Sequence, residues 1–276
     1  RWIARYKAGN TAQSLKSIQD YLSRVILPAL GDKPIKRLTA DDVENLLNTI
    51  KGSNTRQKVF DIINGCLTRA VDNGLIQKNP CAPLVRPRHK TKHRDCYDFA
   101  AQNAMLETLS PKYKAVFFFL CCTGLRIGEF LALSYPSDFY DDKIRVCKEM
   151  NAKGEILNTT KTDKVRYVPY CPDLITKTFA YNKSKEFFGC FSYNSVKLAF
   201  TRAIARTGLS NVTVHSTRHT FSSMCYRAGI SDKLIQDMMG HATLAMTMDT
   251  YTHTMAQGSS PVWDYAKTLA EKLKER

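Results

Sequence analysis

At 276 residues, 43% apolar and 24% charged, the chain has ordinary globular composition and length enough for one large domain or two smaller ones. Its longest apolar run, residues 115–122, falls far short of the roughly 20 residues a membrane helix needs, which argues against a membrane role. The formal net charge of +16 points to a polyanionic partner, nucleic acid being the commonest, with solubility alone as the competing reading.

The charge is uneven: residues 1–94 carry 18 Lys/Arg against 7 Asp/Glu, and residues 95–276 carry 23 against 18. In that basic first third, Leu15, Ile18, Leu22, Val25 and Ile26 recur at helical spacing over 14–27, and Pro28 with Gly31 is expected to end the segment. Thr39-Ala-Asp-Asp42 reads as a capping signal before Val43, Leu46, Leu47 and Ile50. A third helix is predicted over 53–73, with Val59, Ile62, Ile63, Cys66, Leu67 and Ala70 facing a core and Asn73-Gly74 as its stop. Pro80, Pro83 and Pro87 then forbid a continuous helix. The stretch Arg86-Pro-Arg88-His-Lys90-Thr-Lys92-His-Arg94 places five basic residues in a linker that lies either in solvent or along DNA.

From residue 95 the pattern mixes. Helices are predicted near 99–109, 112–122 and 126–133, followed by strands over 143–147, 155–158 and 165–170. Helical patterns resume near 173–181, 194–207, 217–228, 231–239 and 244–251. An amphipathic helix at about 262–275 (Val262, Trp263, Ala266, Leu269, Leu273) closes the chain, suited to docking on a neighbouring copy or on its own domain. The nine cysteines show no C-x-x-C spacing, and Cys66, Cys121 and Cys225 fall on apolar faces as small core residues. A reducing cytoplasm is the expected setting, and Arg1 in place of Met leaves open whether upstream sequence was removed. The expected fold is mainly α with a small antiparallel β-sheet. It comprises a helical domain over 1–85, a basic linker over 86–94 and a mixed α/β domain over 95–276.

The chemistry concentrates late in the chain, in His215-Ser-Thr-Arg218-His-Thr, Gly240-His241 and Thr250-Tyr251-Thr-His253. Thr123-Gly-Leu-Arg126-Ile-Gly-Glu129 supplies a second arginine at a predicted helix start, where Gly124 lets the backbone turn and Glu129 can orient Arg126 by an ion pair. Guanidinium is always charged and grips two phosphate oxygens at once. His215 and Arg218, three apart, would share one side of a helix start. Two arginines bracketing one phosphodiester, with a histidine to move a proton and a phenol to attack, make a coherent set.

In order and spacing, from about residue 11 to 257, these motifs resemble the tyrosine recombinase (phage integrase) family, and more loosely the integrases of conjugative transposons. Leu27-Pro-Ala-Leu-Gly31 and Leu38-Thr look like that family's core-binding domain, which makes 95–276 its catalytic domain. The resemblance implies that Arg126 and Arg218 clamp the scissile phosphate and that His215 acts as general base or proton partner. It implies further that His241 donates to a non-bridging oxygen and that Tyr251 is the nucleophile, forming a 3′-phosphotyrosyl link. A lysine on a β-hairpin serves the family as general acid; Lys161 fits that place best, with Lys164 as competitor. Ser216-Thr217, between His215 and Arg218, depart from the usual acidic-aliphatic pair without removing a chemical group.

The implied function is site-specific strand exchange of a mobile element, with no metal and no cofactor, because the phosphotyrosine keeps the energy of the cleaved bond. Implied partners are double-stranded DNA and other copies of the chain, as a tetramer on DNA, with accessory DNA-bending or directionality proteins beside them. A clamp is expected, its two domains on opposite faces of the duplex. The alternatives are a type IB-like topoisomerase and a catalytically silent DNA-binding scaffold.

Overall fold

Apolar residues at helical spacing need a surface to bury against, and the chain meets that need twice. A computed structural model describes residue 3 and residues 12–89, 95–158, 165–182, 188–240 and 258–275. They divide into two compact units, Arg1–Lys92 and His93–Arg276.

In the first unit, α1 (Ala12–Tyr21) passes through a π-helical turn (Leu22–Ile26) into α2 (Leu27–Leu30). Of the two residues expected to end the segment, Gly31 does so as the C-cap, while the helix runs through Pro28. A proline ring collides with the carbonyl four residues back, here Arg24, and offers no N–H. The wider π turn covers that carbonyl, and Leu27 N–H bonds back five residues to Leu22 O, so the helix absorbs the proline. Thr39 caps α3 (Ala40–Thr49) as expected, its hydroxyl accepting from Asp42 N–H at 3.3 Å while Asp42 accepts from Thr39 N–H at 2.8 Å. The bond from Lys33, with those from Thr39, holds the Asp42 carboxyl down at about 2. Along α4 (Ser53–Asp72), Val59, Phe60, Ile63 and Leu67 pack with Val43, Leu46, Leu47 and Ile26 into the unit's core. The segment after α4 folds back on it: Arg86 forms two bonds to Asp61 (2.7 and 2.8 Å), and His89 Nδ1 pairs with Ser53 Oγ at 2.9 Å.

The second unit is built around α6 (Pro111–Thr123), buried on every side from Ala115 to Thr123 and therefore hydrophobic all round. Packed against it are α5 (Phe99–Thr108), α8 (Asp173–Asn182), α9 (Tyr193–Thr207), α10 (Ser216–Arg227) and α12 (Pro261–Lys274). Short α7 (Ile127–Ala132) follows α6, and α11 (Asp232–Met239) follows α10. The helices expected in these regions are present; the one expected near 244–251 lies outside the described residues.

Two antiparallel strand pairs are described. β1 (Lys143–Val146) pairs with β4 (Arg166–Pro169), and β2 (Glu149–Met150) pairs with β3 (Ile156–Leu157). Two-residue strands such as β2 are too short to show alternation, so the sequence carried no signal for it. The register Ile144↔Val168 and Val146↔Arg166 puts Arg166 on the same face as buried Val168, while Tyr167 points outward. Cys121 and Cys225 are buried, and burial pushes both thiols up; Cys66 is only half-buried. No helix among the described residues is long and apolar enough to cross a membrane.

Candidate active site

The segment Thr123–Glu129 forms the floor of the site. Thr123, the last residue of α6, sends its hydroxyl back to Phe119 O at 2.8 Å. Gly124 then takes a left-handed turn at φ 64°, and a Cβ there would stand 2.3 Å from the Phe221 ring. Only glycine fits, because α10 crosses close over the turn. Arg126 sits at the N-terminal boundary of α7, and its side chain is 19% exposed. As expected, Glu129 pairs with it: Arg126 Nη1 reaches Glu129 Oε1 at 2.9 Å. The backbone N–H of Arg126 bonds to Oε2 at 2.8 Å, so that donor is engaged by the carboxylate rather than offered to an anion.

Glu129 is fully buried and carries a second, stronger partner. Arg166, from β4, grips it with two parallel bonds of 2.9 and 2.7 Å and turns its Nε to Met238 O at 2.8 Å. Burial alone would raise the Glu129 carboxyl. The Arg166 bonds, the charges of Arg166 and Arg126 and the Arg126 N–H outweigh it and hold the group at about 2.

Arg218 lies in the core stripe of α10 with Phe221 and Cys225, at 1% exposure. Its guanidinium donates to Gly124 O at 2.6 Å and to Met239 O. Both acceptors are at helix C-termini, of α6 and α11, where unpaired carbonyls and the helix dipole favour a cation. Burial, then the nearby charge of Arg126, pulls its pKa well below the usual guanidinium range, with Glu129 opposing. His215, at the N-terminal boundary of α10, is exposed, and its ring meets His219 edge-on at 5.2 Å. His215 stands in helical conformation one residue before α10, three positions from Arg218; it is exposed, whereas Arg218 is buried. Ser216 and Thr217 are buried there; Ser216 Oγ accepts from Thr213 N–H at 3.0 Å and Thr217 Oγ1 donates to Val214 O at 2.7 Å. Tyr97 steadies the same loop from below, its hydroxyl donating to Thr213 O at 3.0 Å.

The fold therefore brings Arg126 and Arg218 together, with His215 on the adjoining turn. Arg166 joins them although the sequence reading did not nominate it. Period-2 alternation with Val168 was the signal that could have found it, but Val165 and Tyr167 on the other face obscured the choice. Lys161, Lys164, His241 and Tyr251 lie outside the described residues, as do Lys90, Lys92 and Arg94 of the linker. Arg86 is paired with Asp61, and Arg88 is exposed. Among the described residues Arg126 and Arg166 share one buried carboxylate and Arg218 stands within reach of the same charges, an excess of positive charge that an anion would relieve.

Comparison with known proteins places the two units in a family. The phage integrase family model matches residues 95–257, and the phage integrase central domain matches residues 1–86. Tyrosine recombinase XerC of Alcanivorax borkumensis is 24% identical over 266 residues, covering 89% of this chain and 85% of that protein. Among solved structures, the integrase of transposon Tn1549 in complex with a circular intermediate DNA superposes with a TM-score of 0.70 at 19% identity. It covers 97% of this chain and 96% of the other. A lambda integrase tetramer bound to a Holliday junction gives 0.72 at 20% identity, covering 94% and 79%. Matched by the family model over more than half its length, the chain belongs to the phage integrase family, the tyrosine recombinases.

Proposed function

We propose that this tyrosine recombinase performs strand exchange at the ends of a mobile element, through a 3′-phosphotyrosyl intermediate formed at Tyr251. The Tyr251 oxygen attacks the scissile phosphorus while the P–O5′ bond breaks. His215 receives or holds the tyrosine proton, and Lys161 supplies a proton to the departing 5′-oxygen, which leaves as a hydroxyl. Arg126 and Arg218 neutralise the non-bridging oxygens, and His241 donates to one of them. Reversal by a 5′-hydroxyl from another duplex rejoins the strand, with no outside energy source, because the ester is exchanged and not hydrolysed.

The observation that carries this reading is the buried excess of guanidinium charge around Glu129. Fixed positive charge in a poorly solvated floor stabilises a phosphorane far more than it would in water. The basic first third is expected to supply phosphate contacts along the duplex, with Arg88, Lys90, Lys92 and Arg94 as linker candidates. Arg86 joins them only if it exchanges Asp61 for phosphate. The Tn1549 and lambda relatives are seen on DNA, the lambda protein as a tetramer, which supports DNA and further copies of the chain as partners. Work inside the cell, on bacterial or phage DNA and with accessory bending or directionality proteins, fits the same reading.

The test is a strand-transfer assay on a duplex carrying the element end with a 5′-bridging phosphorothiolate. The expected result is a covalent protein–DNA adduct that resolves into a new, longer strand when a second duplex with a free 5′-hydroxyl is added. Bound DNA with neither adduct nor transfer would contradict the proposal.

A further inference from the structure

Arg126 is held by Glu129, and what holds Glu129 in turn decides how well Arg126 is aimed at a phosphate. Glu129 Oε1 accepts from Arg126 and Arg166 at 2.9 Å each, and Oε2 accepts from Arg166 at 2.7 Å and from the Arg126 N–H at 2.8 Å. All four bonds come from two arginines, and the bidentate pair belongs to Arg166. A planar fork against a planar carboxylate fixes the plane of the acceptor as well as its position.

The other side of Arg166 reaches a second functional element. Its Nε donates to Met238 O, and a Cβ on Gly240 would meet its Cδ at 3.0 Å. Met238 lies in the last turn of α11 and Gly240 caps it immediately before His241, and Arg218 bonds to the intervening Met239 O. One side chain, 8% exposed and carried on a strand, thus touches the carboxylate that orients Arg126 and the helix end that leads to His241. Nothing about strand stability requires an arginine on the buried face of β4, where Val168 occupies the equivalent place two residues on.

We propose that Arg166 is a positioning residue for strand cleavage, holding Glu129 so that Arg126 presents its charge to the scissile phosphate. This rests on the role given above to Arg126. Arg166 itself is not required to touch DNA. Replacing it with lysine keeps one charge but loses the fork, so Arg126 would be held less exactly while the fold keeps a cation at the site.

The experiment compares cleavage by wild type and Arg166→Lys on two duplexes. One has an ordinary scissile phosphodiester; the other has a methylphosphonate there, in which a neutral methyl replaces the charged non-bridging oxygen. On the phosphodiester the variant is expected to form adduct about 10²-fold more slowly, with DNA affinity unchanged in a native gel. On the methylphosphonate, which needs less charge neutralisation, the defect should shrink to about tenfold or less. Both rates come from one preparation, so their ratio does not depend on how much of the variant is folded. Glu129→Gln, which keeps the shape of the acceptor, should give the same signature and serves if Arg166→Lys does not fold. An equal defect on both duplexes would overturn the proposal, since it would mean that Arg166 only supports the fold; no defect on either would also overturn it. Failure of the wild type to form adduct on the phosphodiester would count against the cleavage reading itself.

Discussion

Glu129 is the residue on which the site's electrostatics turn. A fully buried carboxylate is costly unless paired, and two arginines pair it here. Glu129→Gln should therefore lower stability by about 3–5 kcal/mol at neutral pH, measured by denaturant titration. The folded carboxyl lies at about 2 against an ordinary 4.5, so its ionised form stabilises the fold fully above pH 4.5. That contribution is lost as the pH falls from 4.5 through 2, and the gap between wild type and variant should narrow over that window. A gap that stays constant there would show that Glu129 is not held ionised. At the same scale, Gly124→Ala meets both a left-handed backbone and the Phe221 ring at 2.3 Å, whereas Gly74→Ala meets the backbone cost alone. The first should cost about 2–4 kcal/mol and the second about 1, read from the thermal transitions of the two variants.

Among elements, α12 is the one whose partner the sequence left open. Val262, Tyr265, Ala266, Leu269 and Ala270 are buried in the core of the chain's own second unit. Tyr265 Oη accepts from Cys171 N–H at 3.1 Å, and Ser260 Oγ donates to Gln102 Oε1 at 2.6 Å ahead of the helix. Leu269→Ala should then cost about 2–5 kcal/mol, with a melting temperature that does not vary with protein concentration. Concentration dependence would mean that the helix is seated on another copy. Amphipathic helices such as α3, α4 and α12 were legible because their stripes and caps are local, Thr39 with Asp42 above all. Pro28 misled because its collision is relieved by a π turn, which no residue pattern announces. The burial of Arg166 was hard to read for a related reason. A charged residue in a strand reads as solvent-facing until the carboxylate that receives it, 37 positions away, is placed beside it. Arg126 and Glu129, three apart on one turn, needed no such tertiary knowledge.

On the scale of the whole molecule, the sequence separates a basic helical third from a nearly balanced remainder, and the chain folds as two units that divide near the same place. If the first unit supplies most of the phosphate contacts, a fragment lacking residues 1–94 should lose tight site binding. Its affinity should also fall less steeply with salt, because fewer counterions are released. An unchanged salt titration would contradict that division of labour. The central claim is that the clamped phosphate is attacked by one tyrosine. It is tested most directly by trapping the adduct on a phosphorothiolate duplex, digesting it, and identifying the peptide that carries the 3′-phosphate, with Tyr251→Phe alongside. The account predicts DNA on Tyr251 and no adduct in the variant; an adduct that persists in the variant, or DNA attached to any other residue, would contradict it.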